Sequence, residues 1–327
     1  MYFVVAVVAV SVISFTACTS STTQPVTKTP QEITSAQTAG ADETPDTQVI
    51  TWPVVIDTEQ LPIINFTTPS FEGGERILAL AVGSGEIVDL LGAGTQLVGK
   101  DETSSTSQEV PVVTQGHQID IEQALSIKPT LVLVDDLTGP PEAIDALAGS
   151  GARIVNVPPV WSLNDVEARV SAIAKVIGAP AESAQGLSAA LTGATDATDA
   201  QPPRVAFLYL RGPSAIYLLG GANTGADALI EATGGVDVGA ELGYDGFVPL
   251  TAEAIVEAAP DVLLVMSDGL ESVGGIDGLL DLPGVAQTRA GDKRRVVVVD
   301  DQVLLSFGAR TPALIDRLAK VFAKASE

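Results

Sequence analysis

The fold of this chain is indicated by the stretch GHQIDIE at residues 116–122, which is continued by KPTLVLVDD at residues 128–136. Its pattern predicts a polar loop, a short amphipathic helix, a turn marked by Pro129 and a buried strand. A second stretch repeats this order, with VPLTAE at residues 248–253 and APDVLLV at residues 259–265. The chain is therefore predicted to contain two similar α/β units.

The loops of the two units carry side chains that can bind a metal. Glu122 matches Glu253 at an offset of 131 positions (253 minus 122). In the first unit the loop before the helix carries His117, the single histidine of the chain, and in the second unit the loop carries Tyr244. An imidazole and a phenol thus occupy comparable places in two similar units.

Strands and helices alternate along most of the chain. Residues 76–101 have the pattern of strand, glycine turn, helix and strand, which implies a parallel sheet with right-handed crossovers. Residues 162–197 differ, because they are rich in alanine and place apolar residues at helical spacing, with a break near Gly178 and Pro180. This segment is predicted to be a helical connection between two lobes.

The predicted fold class is α/β, with two Rossmann-like lobes joined by a long helical backbone. We expect an N-terminal lobe at residues 51–160, a linking helix at 161–200 and a C-terminal lobe at 201–327. Residues 50–72 contain several apolar side chains and are expected to add one or two edge strands to the first lobe.

Composition limits the classes of partner. The chain has 17 Lys and Arg against 41 Asp and Glu, which gives a formal charge of −24 at pH 7. Binding to phosphate groups relies on basic residues that neutralise their charge, so nucleic acid and anionic lipid headgroups are unlikely partners.

The N-terminal segment has the features of a targeting sequence. Residues 1–17 are mostly apolar, too few to span a bilayer comfortably, and are predicted to be a signal peptide. Small residues before Cys18, the single cysteine, resemble a bacterial lipobox and predict lipidation of Cys18; a buried free cysteine is the alternative. The polar residues 18–50 are predicted to form a disordered tether. We therefore expect a lipid-anchored protein at the extracellular face of the cell membrane.

The candidate binding residues suit one kind of iron ligand. Ligands of open parallel sheets bind beyond the carboxyl ends of the strands, where the loops with His117 and Tyr244 would line a cleft between the lobes. Imidazole and phenolate both bind ferric iron, so these two side chains are candidate axial ligands of a haem. Arg211 and Arg310 are candidate partners for its carboxylates, although both can equally be ordinary surface arginines. A lone surface histidine and an exposed loop tyrosine are the alternatives for the pair.

Other chemistries have weaker support. The turn Gly83-Ser84-Gly85, with Asp101 at the end of the next strand, superficially resembles a dinucleotide-binding fingerprint, but Val88 stands where the third glycine belongs. A zinc cage needs about four nitrogen, sulfur or oxygen ligands, which one histidine and one cysteine do not supply. No nucleophile-elbow pattern is present, so an enzyme is not expected. Tyr209 and Tyr217 lie in strand-like runs and are expected to pack.

Taken together, these motifs resemble the haem-binding lipoproteins of Gram-positive haem ABC importers, which belong to the class III substrate-binding proteins. The resemblance covers roughly residues 73–327. The phrases that carry it are EIV at 86–88, LVGKD at 97–101, IEQAL at 121–125, KPTLVL at 128–133, PLTAEA at 249–254, DGLESVGG at 268–275, FG at 307–308 and RT at 310–311.

The resemblance implies that ferric haem is held between a histidine of the first lobe and a tyrosine of the second, at positions matching His117 and Tyr244. Some members of the family have an arginine two residues beyond the tyrosine that supports its phenolate. This chain has Gly246 at that position, so the support is expected from Arg310 or Arg211.

The resemblance also implies partners. Docking to the ABC permease and its ATPase would use one acidic residue on each lobe, here Glu142 and Glu271, while Cys18 would hold the protein at the membrane. The expected function is capture of ferric haem and its delivery to the permease. Two alternatives stay open: the same fold binding a ferric siderophore or a corrinoid, and a structural or sensory surface lipoprotein without a transport role.

Overall fold

The computed structural model describes residues 50–71, 73–115, 118–193 and 202–325. The predicted signal peptide, Cys18, the predicted tether up to residue 49 and His117 lie outside the described residues. The described strands are β1 (Val54–Val55), β2 (Ile77–Ala79), β3 (Leu97–Lys100), β4 (Thr114–Gln115), β5 (Gln118–Ile119), β6 (Leu131–Val134), β7 (Arg153–Asn156), β8 (Arg204–Arg211), β9 (Ile216–Gly220), β10 (Val236–Asp237), β11 (Phe247–Pro249), β12 (Val262–Met266) and β13 (Val296–Val299).

The described α-helices are α1 (Ser84–Val88), α2 (Ile121–Ser126), α3 (Pro141–Gly149), α4 (Val166–Ile177), α5 (Ala181–Leu191), α6 (Ala226–Ala232), α7 (Val238–Glu241), α8 (Ala252–Ala258), α9 (Ser267–Ser272), α10 (Gly275–Leu280), α11 (Arg289–Asp292), α12 (Asp301–Leu304) and α13 (Thr311–Ala323). None of these described helices combines the length and apolarity that crossing a membrane requires.

The first sheet has four parallel strands in the order β3-β2-β6-β7. Its central strands β2 and β6 are buried along their whole length, which is typical of parallel strands covered on both faces. Alternate residues enter different cores: Leu131 and Leu133 pack with residues of α1, α4 and α5, whereas Val132 and Val134 pack with residues of α2 and α3. The apolar runs of these two strands are therefore continuous because helices cover both faces of the sheet.

The second sheet has seven strands. Six follow the order β1-β13-β12-β8-β9-β11, and β10 pairs with the first residues of β8. The strands β1, β13, β12, β8 and β10 are parallel, whereas β9 and β11 are antiparallel to their neighbours. The β8–β9 hairpin extends the carboxyl half of β8, so the side chains near Arg211 lie on a two-stranded projection of the sheet.

The internal repeat predicts the positions of equivalent elements. α2 begins at Ile121 and α8 at Ala252, and β6 begins at Leu131 and β12 at Val262, so both pairs differ by 131 (252 minus 121, 262 minus 131). Both helices begin with a capping side chain, since Asp120 accepts a hydrogen bond from the Gln123 N–H and Thr251 from the Ala254 N–H. The predicted repeat is confirmed by these elements.

The described part of the connection between the sheets, up to residue 193, contains two α-helices. α4 ends at Ile177 and is followed by Gly178, which has a left-handed φ of 78°, and α5 begins after Pro180, so the break expected near these residues is present. α4 and α5 pack against each other instead of forming one continuous rod. One apolar cluster includes residues of both helices and of both sheets, among them Leu133 and Phe207. The helical connection is therefore part of a shared core.

A buried ion pair fixes α4 to the first sheet. Arg169 of α4 lies 3.0 Å from Asp135, which follows β6, and both side chains are almost fully buried. Arg169 also donates hydrogen bonds to the carbonyl oxygens of Pro158 and Val82. Burial lowers the pKa of Arg169, and Asp135 opposes that change. Removal of either partner would leave an uncompensated buried charge.

The placement expected for the segment at residues 50–72 is wrong. Its strand β1 joins the second sheet, where Val54 pairs with Val297 and Val55 with Val298. A short apolar strand fits any open parallel edge, and here the edge of β13 is the one within reach. Farther along, the Ile64 N–H donates to the Ala309 carbonyl and the Phe71 N–H donates to the Gly92 carbonyl. The segment therefore starts on the second sheet and then crosses to the first lobe.

Candidate functional site

The carboxyl ends of the two parallel sheets meet at one junction. Glu86 in α1, which follows β2, accepts a hydrogen bond from the Ala309 N–H at 2.8 Å. Arg310 donates from Nη1 to Oγ of Ser105, which follows β3, at 2.9 Å. Both contacts join loops that follow parallel strands in different sheets, the region where ligands of such folds bind.

Glu86 is almost fully buried at this junction. Burial raises the pKa of its carboxyl group, and the hydrogen bond from Ala309 and the charge of Arg310 oppose the rise. A Cβ atom at residue 308 would overlap Oε2 of Glu86, so glycine at this position permits the close approach. The glycine of the FG phrase at 307–308 thus leaves room for the carboxylate of Glu86, which lies in the helix after β2 of the other sheet.

Arg310 is half-buried beside Glu86. Its Nε is buried and has no hydrogen-bond partner among the described residues, while Nη1 binds Ser105. An unsatisfied guanidinium nitrogen retains the capacity to bind an acceptor such as a carboxylate. The structure therefore places this predicted arginine between the two sheets.

Arg211 lies at the carboxyl end of β8 and forms part of an aromatic surface. Its guanidinium carbon is 4.4 Å from the centroid of the Tyr209 ring, and that ring lies 5.5 Å from the Phe247 ring. Arg211 also makes an ion pair with Asp301 at 3.5 Å, and its side chain is 37% exposed. Burial raises the pKa of Asp301, and Arg211 opposes the rise.

Tyr209 and Phe247 were not expected to contribute to a site. Tyr209 lies in β8 and packs against the apolar core, as predicted, but it is only half-buried, and Phe247 is 40% exposed. The contact depends on pairing of β8 with β9 and of β9 with β11, which places Phe247 beside Gly220. Gly220 is itself confined, because a Cβ there would lie 2.8 Å from the Phe207 ring. In the sequence, the signal for this contact was an aromatic residue, Phe247, three positions after Tyr244.

Tyr244 is half-buried in a tightly bonded loop. Its N–H donates to the Gly239 carbonyl at 3.0 Å, and its carbonyl accepts from the Ala222 N–H at 2.9 Å. Its side chain packs against the apolar cluster that contains Leu208 and Leu219. Among the described residues, neither a hydrogen bond nor an ion pair joins Tyr244 to the two predicted arginines.

The strands β4 and β5 are anchored at the first sheet. β4 and β5, which flank the undescribed pair Gly116-His117, are antiparallel, with Gln115 opposite Gln118. The Ile119 N–H donates to the Gly139 carbonyl beyond the carboxyl end of β6. The flanking strands therefore lie on the side of the sheet where its strands end.

The two predicted docking residues are both exposed and both lie in the helix that follows a repeated strand. Glu142 lies in the first turn of α3, which follows β6, and Glu271 lies in α9, which follows β12. Since β6 and β12 are the repeated strands, the two carboxylates have comparable places on the two lobes.

Asp101 has a structural role that differs from cofactor binding. Its carboxylate accepts hydrogen bonds from the Gly83 N–H, from Thr103 and from the Ser104 hydroxyl, and it is almost fully buried. These bonds occupy the oxygens that a ribose would need. The apparent dinucleotide fingerprint is therefore an internal brace for the turn before α1.

Two α/β sheets whose strand ends face each other, joined by helices through a shared core, define a bilobal substrate-binding protein. The chain belongs to the periplasmic binding protein family, whose pattern matches residues 77–303. Members of this family bind and deliver substrates and are not enzymes. The predicted fold class, with two α/β lobes and a helical connection, is confirmed.

Solved structures of similar proteins cover most of the chain. The periplasmic heme-binding protein RhuT from Roseiflexus sp. RS-1, in its apo form, is 36% identical, with a TM-score of 0.68 and coverage of 78% of this chain and 100% of RhuT. The heme-binding protein HmuT is 31% identical, with a TM-score of 0.67 and coverage of 84% and 96%. The cobalamin-binding protein of Halobacterium salinarum is 27% identical over 212 residues, 61% of this chain and 56% of that protein. The chain thus spans little more than half the length of this curated relative.

Proposed function

We propose that this protein is the haem-binding component of an ABC importer, lipid-anchored outside the membrane. Ferric haem is the transported substrate and lies in the cleft between the lobes, with His117 and Tyr244 as axial ligands. The observation that carries this proposal is the 36% identity to RhuT over the full length of that haem-binding protein. His117 lies outside the described residues, so its role rests on the sequence and on the placement of β4 and β5.

The surface at the end of β8 supports a flat, carboxylate-bearing substrate. Phe247 and Tyr209 offer ring surface for apolar contact, and the guanidinium of Arg211 is held beside them by stacking on Tyr209. Arg211 and Arg310 are the cations that we assign to the haem propionates, because a net charge of −24 repels carboxylates unless local cations neutralise them.

Hemin titration of the purified full-length chain tests the proposal. We expect saturable binding with a Soret band and a six-coordinate ferric spectrum. His117→Ala and Tyr244→Ala should each change the spectrum and weaken binding, while Tyr217→Phe, which alters a half-buried tyrosine elsewhere in the sheet, should leave both unchanged. The proposal is refuted if the wild-type protein gives no saturable spectrum.

A corrinoid is the second candidate substrate, supported by the similarity to the Halobacterium salinarum cobalamin-binding protein. A ferric siderophore is a further option for the same fold. Competition between hemin, hydroxocobalamin and a ferric siderophore separates these substrates. Displacement of hemin by equimolar hydroxocobalamin would favour the corrinoid.

Membrane attachment and delivery complete the proposal. We propose that Cys18 carries the lipid and that Glu142 and Glu271 contact the permease, whose ATPase drives import. Metabolic labelling with a radioactive fatty acid tests attachment, since Cys18→Ala should abolish incorporation. A surface lipoprotein without transport function is the remaining alternative, and it predicts that adjacent genes encode neither a permease nor an ATPase.

A further inference from the structure

The loop that carries Tyr244 is held to residues 220–225 by a ladder of backbone hydrogen bonds. Besides the bond from the Ala222 N–H to the Tyr244 carbonyl, the Gly246 N–H donates to the Ala222 carbonyl at 2.7 Å and the Gly221 N–H donates to the Gly246 carbonyl at 3.0 Å. A Cβ at residue 221 would overlap the Tyr244 carbonyl, so the two segments approach as closely as backbone permits.

One side-chain hydrogen bond adds to this ladder. Asn223 donates from Nδ2 to Oδ1 of Asp245 at 2.8 Å, and no other side chain bond joins the two segments among the described residues. Asn223 is itself fixed, because its N–H donates to Oδ2 of Asp227, which also accepts from the Thr224 and Gly225 N–H groups. Its φ of 63° lies in the left-handed region, which asparagine tolerates better than most residues.

The partner of this bond is a carboxylate directly next to Tyr244. The Asn223 amide binds Asp245 on the side of residues 222–227 and thereby restricts where its charge lies. The bond is solvent-exposed, and it adds one side-chain restraint to the backbone hydrogen bonds that hold the segment next to Tyr244.

We propose that Asn223, through its hydrogen bond to Asp245, is a positioning residue for Tyr244 in substrate binding. This inference rests on the proposed function, in which Tyr244 binds the haem iron. The contact restrains the residue next to Tyr244 and supplies no positive charge in place of an arginine at position 246.

The test introduces the same charge repulsion at two comparable contacts. Asn223→Asp places two carboxylates together near Tyr244, whereas Asn156→Asp does so at the Asn156–Asp136 pair, which is joined at 3.0 Å on the first lobe. Thermal unfolding of each variant checks that the fold is retained. We expect Asn223→Asp to raise the hemin dissociation rate about two- to fivefold and to weaken the tyrosinate–iron charge-transfer band, and Asn156→Asp to change neither.

A double variant separates the contact from general damage to the loop. Asn223→Asp combined with Asp245→Asn exchanges donor and acceptor, so it should restore the charge-transfer band and most of the dissociation rate. The inference is overturned if wild-type protein binds hemin through Tyr244 but Asn223→Asp behaves like Asn156→Asp, or if the double variant gives no recovery. Absence of hemin binding by the wild-type chain refutes the proposed function instead.

Discussion

Glu86 and Ala309 are separated by 223 positions in the chain, yet the Glu86 carboxylate accepts the Ala309 N–H at 2.8 Å in the buried junction between the two sheets. The contact joins the first helix after β2 to the loop before α13. It fixes the geometry of the region where the carboxyl ends of both sheets meet.

This contact makes a prediction about pH dependence. Burial raises the pKa of Glu86 above its ordinary value of 4.5, so the folded chain holds this proton more tightly than the unfolded chain. The contribution of Glu86 to stability therefore falls as pH increases from that value toward the raised pKa. Glu86→Gln keeps an oxygen acceptor but does not titrate. Urea unfolding from pH 4 to 8 should show the variant gaining stability relative to wild type as pH rises; a constant difference would contradict this.

Removal of the acceptor should be more damaging than neutralisation. Glu86→Ala leaves the buried Ala309 N–H without a partner, and we expect the free energy of unfolding to fall by about 1–3 kcal/mol. Urea unfolding at pH 5 measures the loss. Equal stabilities of Glu86→Ala and Glu86→Gln would show that the hydrogen bond is unimportant.

A side chain at position 308 would displace the carboxylate of Glu86. Because a Cβ at this position overlaps Oε2 of Glu86, Gly308→Ala is expected to destabilise the fold by about 1–3 kcal/mol. Gly149→Ala is the matched control, since a Cβ there meets no atom within 4 Å. Combining Gly308→Ala with Glu86→Ala should cost less than the sum of the single changes, and strict additivity would argue against the clash.

Asp237 should contribute a pH dependence of its own. Burial raises its pKa to about 6 from 3.8, with Asp227 and Glu231 adding to the rise and the Ala240 and Gly239 N–H groups opposing it. Its contribution to stability falls as pH increases between these values, by at most about 3 kcal/mol. Asp237→Ser keeps an oxygen to cap α7 and should flatten the stability profile between pH 4 and 7.

The control for Asp237 uses the same chemistry at the surface. Asp120 caps α2 from an exposed position, so Asp120→Ser removes a capping carboxylate without removing a buried one. If Asp120→Ser and Asp237→Ser change the slope of stability against pH equally, burial of Asp237 is not the cause of the pH dependence.

Arg211 should recognise a carboxylate of the substrate. We expect Arg211→Gln to weaken hemin binding about tenfold, equivalent to about 1.4 kcal/mol, whereas Arg294→Gln, which removes an arginine paired with Asp277 at the surface, should have little effect. Wild-type protein should bind hemin better than hemin dimethyl ester. The Arg211 variant should lose that preference; if it discriminates as strongly as wild type, another group binds the propionates.

The two exposed docking residues should affect delivery without affecting capture. Glu142→Ala and Glu271→Ala are each expected to lower hemin uptake severalfold in proteoliposomes with the permease and ATPase, with unchanged hemin titration curves. Glu257→Ala, at another exposed glutamate of the second lobe, is the control. Normal uptake by the double variant would place the docking surface elsewhere.

The local elements were predictable because their signals lie within a few residues of each other. The apolar run of β6 and the capped start of α2 recur as β12 and α8, and the 131-residue offset holds in the structure. The break at Gly178 and the first-turn Pro312 of α13 were also visible in the chain. For each of these elements, the spacing of apolar residues or the backbone restriction of a glycine or proline is enough to predict it.

Contacts between distant segments were beyond such reasoning. The sheet that β1 joins depends on which strand edge is open beside it. Another open edge could form the same backbone hydrogen bonds with Val54 and Val55. The aromatic pair of Tyr209 and Phe247 requires the hairpin register, and the bond between Asn223 and Asp245 requires two loops to meet. None of these is encoded by a local pattern.

The order of the residues was enough to predict the α/β class, the internal repeat and the candidate ligands His117 and Tyr244. The packed fold was needed to show that Gly308 makes room for Glu86, that Arg211 stacks on Tyr209 and that Asn223 binds the neighbour of Tyr244. The reason is physical: local propensity depends on adjacent residues, whereas burial, charge pairing and close approach depend on which distant atoms the packed chain brings together.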